Sequence, residues 1–510
     1  MLIRTLARRA AAAATGGALV ATGLLVGGPA PQAHAAPVNP EAAAAASWLA
    51  AQLDANGAFT YLDWQGQQAT DIGSTIDLGL SLEETDPASA VIGTVTDGVD
   101  ANLEAYVGAT AVPAKADEAA KAAYFYATVG ATPPAGIDLT ARVEDALGGD
   151  GALFAGVNAY EQVWASLALD AVGHDATAAD ATDYLINSLK CPTGGWGFGS
   201  GATCAADPDT TALVIVALWN QRDVTGIQAE LTSAVAYLKA QQAADGSFSN
   251  FGNPNANSTG MAGWALGVVG ETASAAKAAA WVADHQVVAI PECASGPIPG
   301  EAGALAYDDA SIKDGIADGI TAADRGMWIL SGSQALRSLK HLAARPATTA
   351  AVTGPTGYVA AGKPATLKVA GLRSGQTACL TGIGGTQWTV GGGNLTVALP
   401  AVTRNNVATV RYAGGNASVT VKALGAATLK VKHPARVKAR KKLTVTVTVS
   451  GLAAGERVTV TVGTKKVVRT ATAAGKLKVQ VKVGKKKGKA KVTAVGQFAN
   501  RKGKATVRVV

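Results

Sequence analysis

Acidic residues almost vanish from this sequence after Arg345. The 510-residue chain carries 44 Lys/Arg and 37 Asp/Glu, a formal net charge of +7. From residue 346 to 510 we count about 29 Lys/Arg against a single acid, Glu456, which leaves about 15 basic and 36 acidic residues upstream. An acidic body joined to a strongly basic tail excludes one uniform compact fold, and the length has room for two to four domains. Histidine is also scarce: His174, His285 and His341 fall in the acidic body, none at a spacing from Cys or Asp that would hold zinc. No serine-nucleophile elbow, phosphate loop or calcium loop is present. The residues therefore imply neither a metal nor a cofactor.

Long apolar runs are confined to the N-terminus. Arg4, Arg8 and Arg9 precede an Ala/Gly/Leu/Val-rich run that ends near Val26, followed by Pro29, Pro31 and the small-residue site Ala33-His34-Ala35. This pattern is expected to be a secretory signal peptide over residues 1–35. The mature protein is then expected to be secreted, extracellular or cell-wall associated. Four cysteines in an exported chain can form disulfides. Cys191 and Cys204 enclose a short glycine-rich loop and are expected to pair, a closure contributing about 3 kcal/mol. Cys293 and Cys379 lie on different expected domains, and the sequence leaves their pairing open.

Residues 38–345 alternate amphipathic helical segments with loops rich in Gly, Asp, Asn and Pro; about twelve segments in pairs suggest six helical hairpins. The second helix of a pair opens on a polar cap before an apolar run: "TDIGSTIDLGLSL", "VNAYEQVWASLAL", "DPDTTALVIVAL", "NANSTGMAGWALGVV" and "RGMWILSGSQAL". Two further helices, "ADEAAKAAYFYATV" and one beginning near Leu139, carry weaker signals. Several first helices end in a turn of Gly followed by an aromatic: Gln52, Gly57 and Phe59; Lys190, Gly194 and Trp196; Gln242, Gly246 and Phe248. The glycine permits a tight turn and the ring folds back over the helix end.

Helix, Gln, spacer, Gly, x, aromatic, then a polar-capped apolar helix resembles the repeat of squalene-type terpene cyclases and protein prenyltransferases. The resemblance covers about 300 residues and implies an all-α (α/α)6 toroid whose inner helices surround a cavity. Lys190 in place of one Gln, and Phe in place of two Trp residues, depart from the family pattern. In class II cyclases a motif Asp-x-Asp-Asp-Thr-Ala opens an inner helix and its middle Asp protonates an alkene. Aligned to "DPDTTA", Asp209 takes the proton donor's place, Asp207 the first position, and Thr210 replaces the last Asp. The same letters also make a plain helix start, with Asp207 as N-cap, Pro208 in the first turn and Asp209 where the helix dipole favours a carboxylate. A single toroid and 5% aromatic residues count against carbocation chemistry.

What the resemblance leaves is a cavity. Helix openings place Asp71, Thr75, Asp209, Thr210 and Asn257 at one rim, with Tyr160, Trp164, Trp219, Trp264 and Trp328 farther along, a lining suited to a small molecule or glycan. Each of these residues also has a purely structural reading as cap or core.

Past residue 345 the pattern switches to period two, as in "LTVTVTVSG", "RVTVTVGTKKVVRT" and "KLKVQVKVGKKKGKAKVTAV". One or two all-β immunoglobulin-like sandwiches are expected, over 346–425 and 426–510. The second carries about 23 positive charges and one negative, which suits anionic cell-envelope polymers. The expected function is a non-catalytic exported protein, with the toroid binding or displaying a ligand and the basic β-modules associating with the envelope. The alternative is a terpene cyclase-like enzyme with Asp209 as general acid.

Overall fold

The computed structural model describes residues 39–63, 65–108, 115–199, 203–250, 252–345, 347–449, 452–471 and 476–510. The expected signal peptide, residues 1–35, lies outside the described residues. The fold is multidomain, helical in its N-terminal part and β-rich in its C-terminal part. Two compact units divide it: Met1–Val287, Glu301–Ile312 and Ile320–Arg345 form one, and Val288–Gly300, Lys313–Gly319 and Pro346–Val510 the other.

The helical unit opens on α1 (Pro40–Ala50) and a short hairpin of β1 (Phe59–Leu62) with β2 (Gln68–Asp71). Then come α2 (Ile72–Thr85), α3 (Val91–Val107), α4 (Ala116–Val129), α5 (Leu139–Ala146), α6 (Ala159–Val172), α7 (Asp175–Ser188), α8 (Pro208–Asn220) and α9 (Ile227–Gln241). A two-residue hairpin, β3 (Ser249–Asn250) with β4 (Asn253–Pro254), leads into α10 (Ala256–Val268) and α11 (Thr272–Asp284). The last helices in the chain are α12 (Asp309–Asp318), whose residues from Lys313 belong to the other unit, and α13 (Arg325–Ala335), the latter continuing as a 3-10 turn over Leu336–His341.

Six helices pack in sequence, α2 on α4, α4 on α6, α6 on α8, α8 on α10 and α10 on α13, and α13 packs back on α2. Each has a flanking partner, respectively α3, α5, α7, α9, α11 and α1. Hydrophobic pattern sorts the two sets. Flanking helices bury one stripe, such as Val95, Val99, Leu103 and Val107 in α3, or Ile227, Leu231, Ala234 and Leu238 in α9. Ring helices bury all sides: every residue from Thr210 to Leu218 in α8 is covered, as befits a helix surrounded by others.

The ring closes through polar contacts. Gln334 donates to Asp77 (2.8 Å), Ser81 to the Ser333 carbonyl (2.5 Å), Arg337 Nε to Ser81 (3.2 Å), and Lys340 pairs with Glu84 (2.9 Å). The N-terminal helix joins the closure, because Gln286 donates to the Glu41 carbonyl and Arg345 pairs with Glu41 and Asp284.

The glycine–aromatic turns recur as expected. Gly57 and Gly246 sit at φ 86° and 97°, and a Cβ there would lie 2.0 Å from the Thr94 carbonyl oxygen and 2.4 Å from that of Lys277. Only glycine lets each turn lie against the next flanking helix. Phe59, Trp196 and Phe248 are fully buried, and Trp196 Nε1 donates to the Leu185 carbonyl of α7 (2.8 Å), so the ring does fold back on its helix. Lys190, standing where Gln is expected, pairs with Glu230 of α9 (2.5 Å). Gln242 does the equivalent work by donating to the Ser274 carbonyl of α11 (2.9 Å).

The β unit has two cores. In the first, β5 (Ala351–Thr353), β7 (Pro364–Ala370) and β10 (Gly393–Ala398) form one sheet. The second sheet holds β6 (Tyr358–Ala360), β8 (Thr377–Thr381), β9 (Gln387–Val390), β11 (Arg404–Tyr412) and β12 (Gly415–Leu424), in the order β6-β12-β11-β8-β9. Leu367, Val369, Leu380, Val397, Val410 and Val421 fill the space they share. The second core, around Leu429, Leu443, Val460, Val479, Val492 and Val507, belongs to β13 (Ala427–Lys432), β14 (Arg436–Val437), β15 (Lys442–Val449), β16 (Arg457–Val462), β17 (Lys465–Thr470), β18 (Lys476–Lys482), β19 (Gly488–Val495) and β20 (Arg501–Val509). Their order is β17-β16-β19-β20-β13-β15-β18, with β14 beside β20. Glu456 is buried here, bidentate to Arg501 at 2.6 and 2.8 Å.

Both disulfides are formed. Cys191 bonds Cys204 as expected, and Cys293 bonds Cys379. The second pair corrects the placing of Cys293 with the helical domain. Residues 288–300 belong to the β unit, where Cys293 packs with Cys379 and Trp388, Trp388 Nε1 donates to the Ser295 carbonyl, and Arg411 pairs with Glu292.

Candidate functional site

Four ring helices begin at the edge of a cavity of about 840 Å³. Asp71, the N-cap of α2, lines it with Gly73, as do Lys115, Asp117, Glu118 and Lys121 around the first turns of α4. Tyr160 and Trp164 of α6, Tyr106 of α3, and Gly326, Met327 and Leu330 of α13 supply the apolar wall. The size suits a drug-sized molecule.

Its floor is a buried ion pair. Lys121 Nζ stands 2.9 Å from Asp77, donates to the Gly73 carbonyl (3.1 Å), and lies 5.2 Å from the centre of the Trp164 ring. Burial opposes the ammonium charge, but Asp77, Tyr160 and Tyr106 together more than offset it, and the lysine pKa ends above its usual value. Lys121 is thus a cation already paired with Asp77, and no ion pair to Asp117 or Glu118 forms among the described residues. Burial, then the hydrogen bond and charge of neighbouring Glu118, push the Asp117 carboxyl up to about 7. One oxygen of Glu118 is covered and has no hydrogen-bond partner among the described residues. Asp117 can hold a proton near neutral pH, and the two acids can face a cationic or hydroxyl-bearing group. Tyr160 meets Trp164 edge-on at 6.3 Å and stacks with exposed Phe198 at 5.7 Å.

Of the residues singled out in the sequence, Asp71, Tyr160 and Trp164 meet in this cavity. Thr75 and Thr210 are buried in local structure. The Thr75 hydroxyl accepts from the Phe59 N–H (2.9 Å) and donates to the Asp71 carbonyl (2.6 Å), while Thr210 caps back to Asp207. Trp219 lies at the opposite end of α8, with Arg222 over its ring at 4.4 Å. Trp264 is buried against Arg337 (4.5 Å), and Trp328 is buried in α13.

The "DPDTTA" stretch opens α8. Asp207 is its N-cap, accepting from the Thr210 N–H (2.8 Å) and hydroxyl (3.0 Å), and burial raises its pKa to about 6. Asp209 accepts from the amides of Asn250 (2.9 Å) and Asn257 (3.5 Å) and is further held by the Ser258 hydroxyl. Burial raises its pKa although those bonds oppose the rise. Desolvation therefore outweighs the helix-start effect that favours a carboxylate. Asp209 is not part of the cavity lining.

Sequence reasoning passed over Asp77, Asp117, Glu118 and Lys121. The available signal was charge on a helix that is otherwise apolar: "ADEAAKAAYFYATV" sets three ionisable groups within five residues of an Ala-rich, aromatic-ended run.

No family model matches the chain, and no curated protein does. Among solved structures, a protein from Actinoplanes is 16% identical, over 59% of this chain and 98% of that one, with TM-score 0.42. Escherichia coli alpha-2-macroglobulin activated by porcine elastase is 13% identical over 31% of this chain and 23% of its own, at 0.14. A tetra-tandem repeat from the extending region of a large adhesion protein is 15% identical over 32% and 49%, at 0.17. The chain thus spans under a quarter of the macroglobulin and about half of the adhesion repeat. These likenesses fall below the level that fixes a fold.

Proposed function

We propose that this is an exported, non-catalytic surface protein whose helical unit, an (α/α)6 toroid, binds a small molecule. Its β unit, two immunoglobulin-like sandwiches, associates with anionic cell-envelope polymers. The observation that carries the binding role is the cavity of about 840 Å³ at the end where ring helices begin, with aromatic walls and the acids Asp117 and Glu118 beside a lysine already paired with Asp77. The two disulfides suit an extracellular setting, and no helix among the described residues is long and apolar enough to cross a membrane.

A cyclase-like reading has one observation in its favour, the burial that raises Asp209. Against it, the carboxylate is held by two amides and stands outside the cavity lining. Native mass spectrometry of full-length protein recovered from its growth medium tests the proposal. A bound small molecule is expected, and Tyr160→Ala should abolish it. Protein that stays empty after exposure to a medium extract, or that converts a polyprene in a manner lost in Asp209→Asn, would overturn the binding role.

A further inference from the structure

The basic module has two outward sheet faces, one carried by four strands and one by three. On the sheet β17-β16-β19-β20 the exposed residues include Arg457, Lys466, Lys489, Lys491, Lys502, Lys504 and Arg508, seven cations. On β13-β15-β18 they include Lys430, Lys432, Lys442, Lys478 and Lys482, five. The single acid of residues 427–510, Glu456, is buried on Arg501. No carboxylate of the module therefore stands among either set.

Register decides what the four-stranded face can hold. Lys491 stands opposite Thr506, Lys504 opposite Thr493, Lys466 opposite Thr461 and Arg457 opposite Thr470. Lys489 stands directly opposite Arg508, an arrangement that is unfavourable without an anion between the two. Same-face residues recur about every 7 Å along a strand, and strands lie about 4.8 Å apart. The face is thus a lattice of point charges, four of the seven opposite a threonine hydroxyl, and both groups suit phosphate oxygens.

We infer that the β17-β16-β19-β20 face is the docking surface for an extended polyol phosphate chain. Such a chain, with one phosphodiester for every six or so backbone bonds, repeats at about 7 Å, matching the spacing along the strands. Single-stranded nucleic acid is disfavoured because these four strands carry no aromatic residue on which bases could stack. A bilayer is disfavoured because they present no aromatic anchor to enter the headgroup boundary. The inference rests on the proposed association with anionic envelope polymers and names the face and the polymer.

Two full-length variants of equal net charge test it. One is Lys489→Gln/Lys491→Gln/Lys502→Gln/Lys504→Gln; the other is Lys430→Gln/Lys432→Gln/Lys478→Gln/Lys482→Gln. Binding to poly(glycerol phosphate) is measured across a salt series, beside poly(U) and phosphatidylglycerol vesicles, after thermal melts show both variants folded. The first variant should bind at least tenfold more weakly than the wild type. Its slope of log affinity against log salt should fall by about 3, at roughly 0.7 per lost cation; the second variant should stay within threefold. Equal losses in both variants, or tighter binding of the wild type to poly(U) or vesicles, would overturn the assignment while leaving the broader association intact. A wild type that binds none of the three probes would overturn both.

Discussion

The ion pair under the cavity offers a direct measure of what holds the ring together. Asp77 and Lys121 are only 3% and 7% exposed, and Asp77 also accepts from Gln334 and faces Arg337 at 3.9 Å. One carboxylate therefore links α4 to both ends of the ring. Asp77→Asn removes the anion that two buried cations share, and Lys121→Met leaves the anion with a neutral amide and a distant guanidinium. Breaking a buried pair from one side costs about 3 to 5 kcal/mol, whereas removing both charges is often close to neutral. For a unit of about 300 residues the unfolding entropy is roughly 0.6 kcal/mol per degree, so each single substitution should lower its Tm by about 5 to 8 °C.

Asp77→Asn/Lys121→Met keeps the amide bond to Gln334 and should recover at least half of that loss. The assay is calorimetry of the full chain at pH 7, following the transition of the helical unit in wild type, both singles and the double variant. A positive coupling energy is expected, since the groups touch. If the double variant falls by the sum of the singles, the pair is not a unit, and the account of Lys121 as a cation paired with Asp77 is wrong.

Asp117 predicts a pH dependence. Its folded pKa of about 7 lies above the ordinary carboxyl value, so its contribution is fully present below about pH 4 and is lost as pH rises through 7. Allowing for its partial exposure, this amounts to about 1 to 2 kcal/mol. The wild-type helical transition should therefore fall by roughly 2 to 3 °C more than that of Asp117→Asn between pH 4 and 8; parallel profiles would exclude the raised Asp117 carboxyl. Gly246→Ala should lower the same transition by about 3 to 6 °C, because strain at positive φ adds to a collision with the Lys277 carbonyl. Gly270→Ala, at φ 86° in open space, should cost under half as much, and equal losses would leave the collision without a role.

Much of the helical unit was legible because its two helix classes differ in residue pattern. A stripe every four residues, as in α3, marks a flanking helix, and an Asp or Asn before an all-apolar run marks a ring helix. Asp71, Asn158, Asp207 and Asn255 all accept from a backbone N–H three residues on. The helix that carries Asp117, Glu118 and Lys121 lacks that sign: Lys115 makes no side-chain cap. Its weak signal and its part in the site have one origin, since the acids of its first turn face the cavity. The state of Asp209 was not legible for a different reason. Its amide partners come from 41 and 48 residues downstream, and desolvation depends on everything packed around it rather than on its place in a helix.

In the β unit, period two shows which residues lie on one face of a strand, but not which strands are neighbours. Strand β20 pairs with β19, the strand before it, and also with β13 and β14, far back in the chain. Lys489 consequently faces Arg508, a repulsion invisible to any count of charges. The same holds for Glu456. In the sequence it is the one anion that moderates a cationic tail, yet in the fold it is enclosed with Arg501, at 0% exposure. Its charge is cancelled inside, so the surface that a partner meets on residues 427–510 is uniformly cationic, and the strands that carry it are ordered by pairings that bring like charges together.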